Sequence, residues 1–315
     1  MSKHSWSHLI SVFQRIGAAS SDLRASLIGV IFVSTLVWPA SAQTHLKLES
    51  DRFETFASEV SRVIGKIPKD RVLLVYDIDN TLLTMKQDLG GDAWFTWQED
   101  LLKKSPASPD LVAADFSGLL EWQGVFFTLA KMIPTEPKAV EIFNQLKGDG
   151  LETMILTSRG PEFRSQTERE LKRNGFQIGP MRSLPQEPVT SFLSYEAAGT
   201  TRFPPTELQR LKVASARPIT FQKGIMMTSG QHKGVMLGTF LEKYQIDDDF
   251  DAIVFIDDHA KHTDRVHDAM AAHVRELVTI RYSKLDPQVA NFARNPQNAK
   301  RDWQDVRVLQ QVLFE

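Results

Sequence analysis

The run Val72-Leu73-Leu74-Val75-Tyr76, followed without a break by Asp77-Ile78-Asp79-Asn80-Thr81, constrains this chain more than any other feature. Five successive apolar residues, rich in Val and Leu and preceded by Lys69-Asp70-Arg71, predict a strand of a parallel sheet buried on both faces. Open α/β sheets bind ligands at the carboxyl ends of such strands, and here that end carries two carboxylates. If the backbone stays extended, Asp77 and Asp79 point to the same side and can act on one substrate as nucleophile and proton donor. That pairing points to phosphoryl transfer. An anionic carboxylate approaching a phosphate meets a repulsion of ~4 kcal/mol at ~4 Å in a partly screened site, and a divalent cation such as Mg²⁺ removes it.

Three later segments extend the pattern. Met154-Ile155-Leu156 runs into Thr157-Ser158-Arg159-Gly160, and Ile253-Val254-Phe255-Ile256 delivers Asp257-Asp258. Between them, Lys233 in Gly230-Gln231-His232-Lys233-Gly234 opens the helical pattern Val235, Leu237, Phe240, Leu241, Tyr244. Each piece alone is weak, but four in this order, each at a strand end or a helix start, are specific. Together they resemble the four signatures of the haloacid-dehalogenase superfamily, over about residues 68 to 285: Asp-x-Asp-x-Thr, then a Thr or Ser, a Lys, and an acidic pair. The chain also resembles an uncharacterised exported bacterial branch of that superfamily, described only as a domain of unknown function.

The resemblance implies an α/β, Rossmannoid three-layer fold with a mainly parallel sheet and a small helical cap insert. It implies Asp77 as the nucleophile that carries the phosphoryl group, Asp79 as general acid and then base, and Thr157 and Lys233 as phosphate-binding residues. Metal ligation falls to the Asp77 carboxylate, the Asp79 backbone carbonyl and the acidic pair. Asp258 is favoured as the direct ligand and Asp257 as the residue that orients Lys233 or a bound water, with the exchange of these two left open. An oxygen-only ligand set suits Mg²⁺ over zinc.

The organisation follows from punctuation along the chain. The uncharged run Leu27–Trp38, ending in Pro39-Ala40-Ser41-Ala42 after Lys3, Arg15 and Arg24, reads as a signal peptide over 1–42 with cleavage before Gln43. That predicts a periplasmic or secreted protein with no stable membrane span; an uncleaved membrane anchor is the alternative, because the leader is long. Residues 43–83 read as an N-terminal helix (Phe53, Phe56, Val60, Val63, Ile64) and the first core strand. Residues 84–134 hold Trp94, Phe95, Trp97, Trp122 and Phe126 without βαβ character and read as a helical cap insert. Most such aromatics form a cap's own core, with Trp94 and Trp97 as the expected substrate-facing exceptions. Residues 135–315 supply the remaining core. Lys138–Lys147 and Pro161–Asn174 read as helices, 219–228 as a strand or hairpin, Val278–Tyr282 as a strand and Asp302–Leu313 as a closing helix, while 180–218 stays unassigned.

Composition excludes other classes. A net charge of −2 with no long basic run gives no footprint for nucleic acid, and the absence of cysteine removes disulfides, thiol catalysis and a lipoprotein anchor. The expected partner is a small-molecule phosphate ester. His259 and His262 read as exposed loop histidines, Arg159 equally as a substrate contact or as half of an ion pair, and Asn80 with Thr81 as shapers of the turn. A phosphomonoesterase is the main reading; a phosphomutase, or a non-catalytic exported binding protein that keeps the fold, is the alternative.

Overall fold

The computed structural model describes residues 43–184, 202–214 and 216–314, so the expected signal peptide lies outside the described residues. In chain order the strands are β1 (Thr44–Ser50), β2 (Val72–Tyr76), β3 (Leu83–Met85), β4 (Met132–Pro134), β5 (Glu152–Thr157), β6 (Thr220–Gln222), β7 (Ile225–Met227), β8 (Ala252–Asp257) and β9 (Glu276–Tyr282). The helices of the core are interleaved with those of the insert: α1 (Phe53–Ile64), α2 (Asp92–Lys104), α3 (Phe116–Leu129), α4 (Pro137–Gly148), α5 (Arg164–Arg173), α6 (Pro205–Arg210), α7 (Lys233–Lys243), α8 (Ala260–Met270), α9 (Asp286–Arg294) and α10 (Gln297–Phe314).

The chain has an α/β fold whose main sheet contains seven strands in the order β1-β9-β8-β2-β5-β7-β6. Every pair in it is parallel except β6 with β7. Alternation along the strands divides the interior into two cores. Val72, Leu74 and Tyr76 face one with α1 and α4, while Leu73 and Val75 face the other with α7 and α8. Burial on both faces is what the unbroken apolar run at Val72–Tyr76 required.

The expected hairpin at 219–228 is β6–β7, turned by Lys223 (φ 52°) and Gly224 (φ 70°), which suits a two-residue turn of left-handed backbone. The N-terminal segment departs from expectation. Before α1 lies β1, which pairs in parallel with β9 at the sheet edge and which an account of 43–83 as one helix and one strand leaves out. Its residues are at most half-buried, so it carries none of the continuous apolar character of β2.

From β2 the chain passes to β5 on one side and later returns through β8 on the other. Such a reversal of direction opens a crevice at the carboxyl ends of the two strands, here β2 and β8. The segment between β2 and α4 contains α2 and α3, and at its base is a ribbon, β3 paired antiparallel with β4. On the far side of that excursion stand α9 and α10, which sequence gave only as one closing helix.

Candidate active site

At the ends of β2 and β8, Asp77 and Asp257 emerge side by side because the two strands pair in register through Tyr76 and Ile256. The Asp77 amide donates to the Ile256 carbonyl at 3.0 Å, which carries the pairing one step past the strand. Lys233, the first residue of α7, donates to Asp77 Oδ1 at 2.5 Å and to Asp257 Oδ2 at 2.6 Å. All three are buried: 4%, 0% and 1% exposed for Asp77, Asp257 and Lys233. Gly234 makes this approach possible, since a Cβ there would lie 2.2 Å from the Arg265 carbonyl of α8. Lys233 and the acidic turn are thereby brought together from segments far apart in sequence.

The electrostatics follow from burial. Desolvation pushes the Asp77 carboxyl up to about 7, against the pull of Lys233 and with added repulsion from Asp257 and Asp79. Burial acts to deprotonate Lys233, but Asp257 and Asp77 outweigh it and hold its pKa above the usual value. Burial also raises Asp258 well above the ordinary carboxylate range, with Asp92 next in effect.

Within the acidic turn the two aspartates have different surroundings. Asp257 spends both oxygens, one on Lys233 and the other on the backbone N–H of His259 at 2.9 Å. Asp258 leaves Oδ1 buried without a partner. The ligand oxygens of Asp77, Asp257 and Asp258 lie within 4.8 Å of one another, so this group can hold a metal ion. Thr81, fully buried, joins the two turns: its hydroxyl donates to Asp77 Oδ2 at 3.3 Å and accepts from the Asp258 amide at 3.0 Å. Asn80 adopts φ 55°, the left-handed conformation that its side chain tolerates.

Asp79 faces a different partner. Arg159 grips both its oxygens, Nε at 2.9 Å and Nη2 at 2.7 Å, and its guanidinium lies 4.0 Å from the centre of the Phe127 ring. Thr157 ends β5, is fully buried, and accepts through its hydroxyl from the Arg159 amide at 3.2 Å. Asp79 and Arg159 then form part of the wall of a cavity of about 560 Å³, within the range of small-molecule sites. Asp77, Lys233 and Thr157 are not in that wall. The insert lines it with Phe95, Phe116, Leu120 and Phe127, and α8 lines it with Lys261, His262 and Arg265.

This sheet, with its buried acidic cluster, corresponds to a known sequence family. The family described as "Protein of unknown function (DUF2608)" matches residues 53–313. The chain belongs to that family. No protein of curated function and no solved structure matches it.

For this DUF2608 chain, the structure overturns the expectation for the two tryptophans. Trp94 is 1% exposed and packs edge-on against Phe126 at 5.2 Å, and Trp97 meets Phe292 of α9 at 5.9 Å. Helical spacing explains why: Asp92, Phe95, Thr96, Glu99 and Lys103 share the cavity face of α2, so Trp94 and Trp97 turn away from it. The stripe of 92, 95, 96, 99 and 103 mixes polar and apolar residues, so hydropathy does not mark it as one face of the helix.

His259 is an exposed residue of the turn before α8, as expected, whereas His262 lies within the helix and is half-buried. His259 precedes α8 and contacts Asp92 at 3.2 Å, a partner that with Asp258 raises its pKa to about 10. His262 lies in the first turn of α8, half-buried, with an unpartnered Nδ1; burial and then Lys233 keep it neutral. Asp92 is the insert's link to the acidic turn, and its carboxylate also reaches Asn80 at 3.4 Å. A second potential ligand group is formed by Asp92, Asp258 and His259.

Proposed function

We propose that this protein is a Mg²⁺-dependent phosphomonoesterase of the haloacid-dehalogenase type, exported to the periplasm or the medium after cleavage behind Ala42. The observation that carries the reading is Lys233 bridging Asp77 and Asp257, beside an Asp258 oxygen that is buried and unpaired. A non-catalytic scaffold has no reason to bury two carboxylates and one lysine beside the end of its central strand, because each desolvated charge costs on the order of several kcal/mol before pairing.

The donor set fits a hard divalent cation. Oxygen ligands alone are on offer in the Asp77, Asp257 and Asp258 group, and the orphaned Asp258 oxygen has a use only if a cation or a water takes it. Asp77, the Asp79 carbonyl and Asp258 would hold Mg²⁺, with Asp257 committed to Lys233. When bound, the ion would neutralise charge between nucleophile and phosphate.

The chemistry then divides into two displacements. Asp77 attacks phosphorus and the bond to the ester oxygen breaks, with Asp79 delivering a proton to the leaving alkoxide. Water next attacks the aspartyl phosphate, giving its proton to Asp79 while the bond from phosphorus to Asp77 breaks. Lys233 and Thr157 hold the phosphoryl oxygens through both steps. Arg159 acts through Asp79: its two hydrogen bonds fix that carboxylate at the cavity edge, between the buried nucleophile and the space for the leaving group.

Hydrolysis of phenyl phosphate by the full-length chain, with Mg²⁺ and with EDTA, tests this reading. Turnover should require the metal, and Asp77→Asn should lose at least ~1,000-fold in kcat while the melting curve stays cooperative, since an amide cannot form the covalent intermediate. Metal-independent turnover, or a folded Asp77→Asn variant within about tenfold of wild type, rejects it.

A further inference from the structure

The cavity is much larger than a phosphoryl group requires, and its charges do not cancel. On its wall, Asp79 is matched by Arg159, Asp92 by His259, and Glu99 by Lys103 at 3.5 Å. Three cations have no ion-pair partner among the described residues: Arg217, Lys261 and Arg265. Glu162, on the exposed lip, is the acid of the wall without an ion-pair partner among the described residues.

These cations come from two elements that border the same cavity. Lys261 and Arg265 stand four residues apart on α8, the spacing at which like charges repel along a helix. That repulsion is the largest influence lowering the Lys261 pKa, and burial lowers that of the half-buried Arg265. Arg217 is fixed through its backbone. The buried Gln231 side chain accepts from its N–H at 2.8 Å and donates to its carbonyl at 2.7 Å. Gln231 also donates to the Thr228 carbonyl at 3.0 Å, and the Gly230 and Ser229 amides bond the carbonyls of Ser158 and Arg159 at 2.8 and 3.1 Å. One network therefore positions Arg217 together with the loop before Lys233 and the turn after Thr157. Lys261 and Arg265 repel each other across one helical turn on the cavity wall, and an anion bound beside them relieves that repulsion.

Resting on the phosphatase reading above, we infer that the substrate carries a second anionic group, bound by Arg217, Lys261 and Arg265, beyond a flat or apolar middle portion that lies along Phe95, Phe116 and Leu120. The apolar wall and the cationic wall belong to one cavity, so a single ligand meets both. A phosphate or a carboxylate satisfies the cations equally; both present oxygens to guanidinium groups.

Calorimetric titration of the full-length chain in Mg²⁺ tests this with three non-hydrolysable probes: benzylphosphonate, 4-carboxybenzylphosphonate and para-xylylene bisphosphonate. The two bis-anions should bind at least about tenfold more tightly than benzylphosphonate, the factor that one charge-assisted hydrogen bond is worth. Arg217→Ala and Arg265→Ala should each bring that ratio towards one, and Arg217→Lys should restore part of it. Preference for only the carboxylate, or only the second phosphonate, names which anion the site takes. Equal binding of all three probes, no binding of the bis-anions, or a ratio that survives both alanine variants overturns the inference. Its failure is separable from that of the phosphatase reading: a protein that hydrolyses phenyl phosphate yet binds all three probes alike keeps the activity and loses the second-anion site.

Discussion

Beneath the cavity, Asp77, Lys233 and Asp257 are 4%, 1% and 0% exposed and are held by charge; above it, Phe95 and Phe116 of the insert offer partly exposed apolar surface. Two residues of the floor, Asp77 and Asp257, stand at the ends of neighbouring strands and Lys233 opens α7, so the backbone of the core fixes each position. The roof is made of side chains on α2 and α3, held from behind by other helices. Trp122 packs against Trp303 of α10 at 4.7 Å, and Lys300 reaches Asp110 at 2.5 Å. An insert packed against the C-terminal helices in this way has its back face committed to the core, and only its cavity face is available to change with substrate. On the proposed phosphatase reading, this is a division of labour: the floor would set the reaction, and the roof would set what reaches it.

That division predicts separable failures. Lys233→Met should be the most damaging change, because it strands Asp77 and Asp257 as buried carboxylates without their cation. Breaking a buried pair costs ~3–5 kcal/mol, and turnover of every ester should fall together. Urea denaturation and a phosphate-ester panel check both parts; a variant within about 1 kcal/mol of wild type would break the picture of a charge-held floor. Trp94→Ala comes next. Removing a ring that is 1% exposed costs ~3–5 kcal/mol of stability, yet should leave the ranking of substrates among the remaining folded molecules unchanged. A shift in that ranking with little loss of stability would return Trp94 to the substrate site.

The same contrast explains what the sequence disclosed. Asp77, Thr157 and Asp257-Asp258 each follow an apolar strand, so period and motif located them before any contact was known. The α/β sheet was legible for the same reason. Three things were not. β1 is a half-buried edge strand whose alternation, Leu46 and Leu48 between polar residues, is too short to stand apart from the leader beside it. Size makes the tryptophans conspicuous in the sequence, but helical phase decides which side of α2 they occupy. Arg217 and Arg265 come from separate segments with no shared motif, and only the folded chain sets them around one space. The structure also gives the two aspartates different surroundings: Asp257 accepts from Lys233 and the His259 amide, and Asp258 has an oxygen to spare.

The smallest predicted effect is the most discriminating for the roof. Phe116 is 43% exposed, touches Phe95 edge-on at 6.1 Å and lines the cavity, so it has little burial to lose. Phe116→Ala should cost about 1 kcal/mol or less in stability, the scale of one aromatic contact at a surface. Its consequence should appear in KM. Esters with an aromatic or alkyl group should lose up to about tenfold in kcat/KM, through KM, while glycerol phosphate, which has nothing to lay against the ring, should be unaffected. Contact with a non-reacting part of the substrate is the same in ground and transition states, and so kcat should hold for both kinds of ester. A parallel loss in kcat for apolar and polar esters would mean that Phe116 shapes the floor through Asp92 or Arg159, and the boundary between the two regions would have to be drawn higher in the insert.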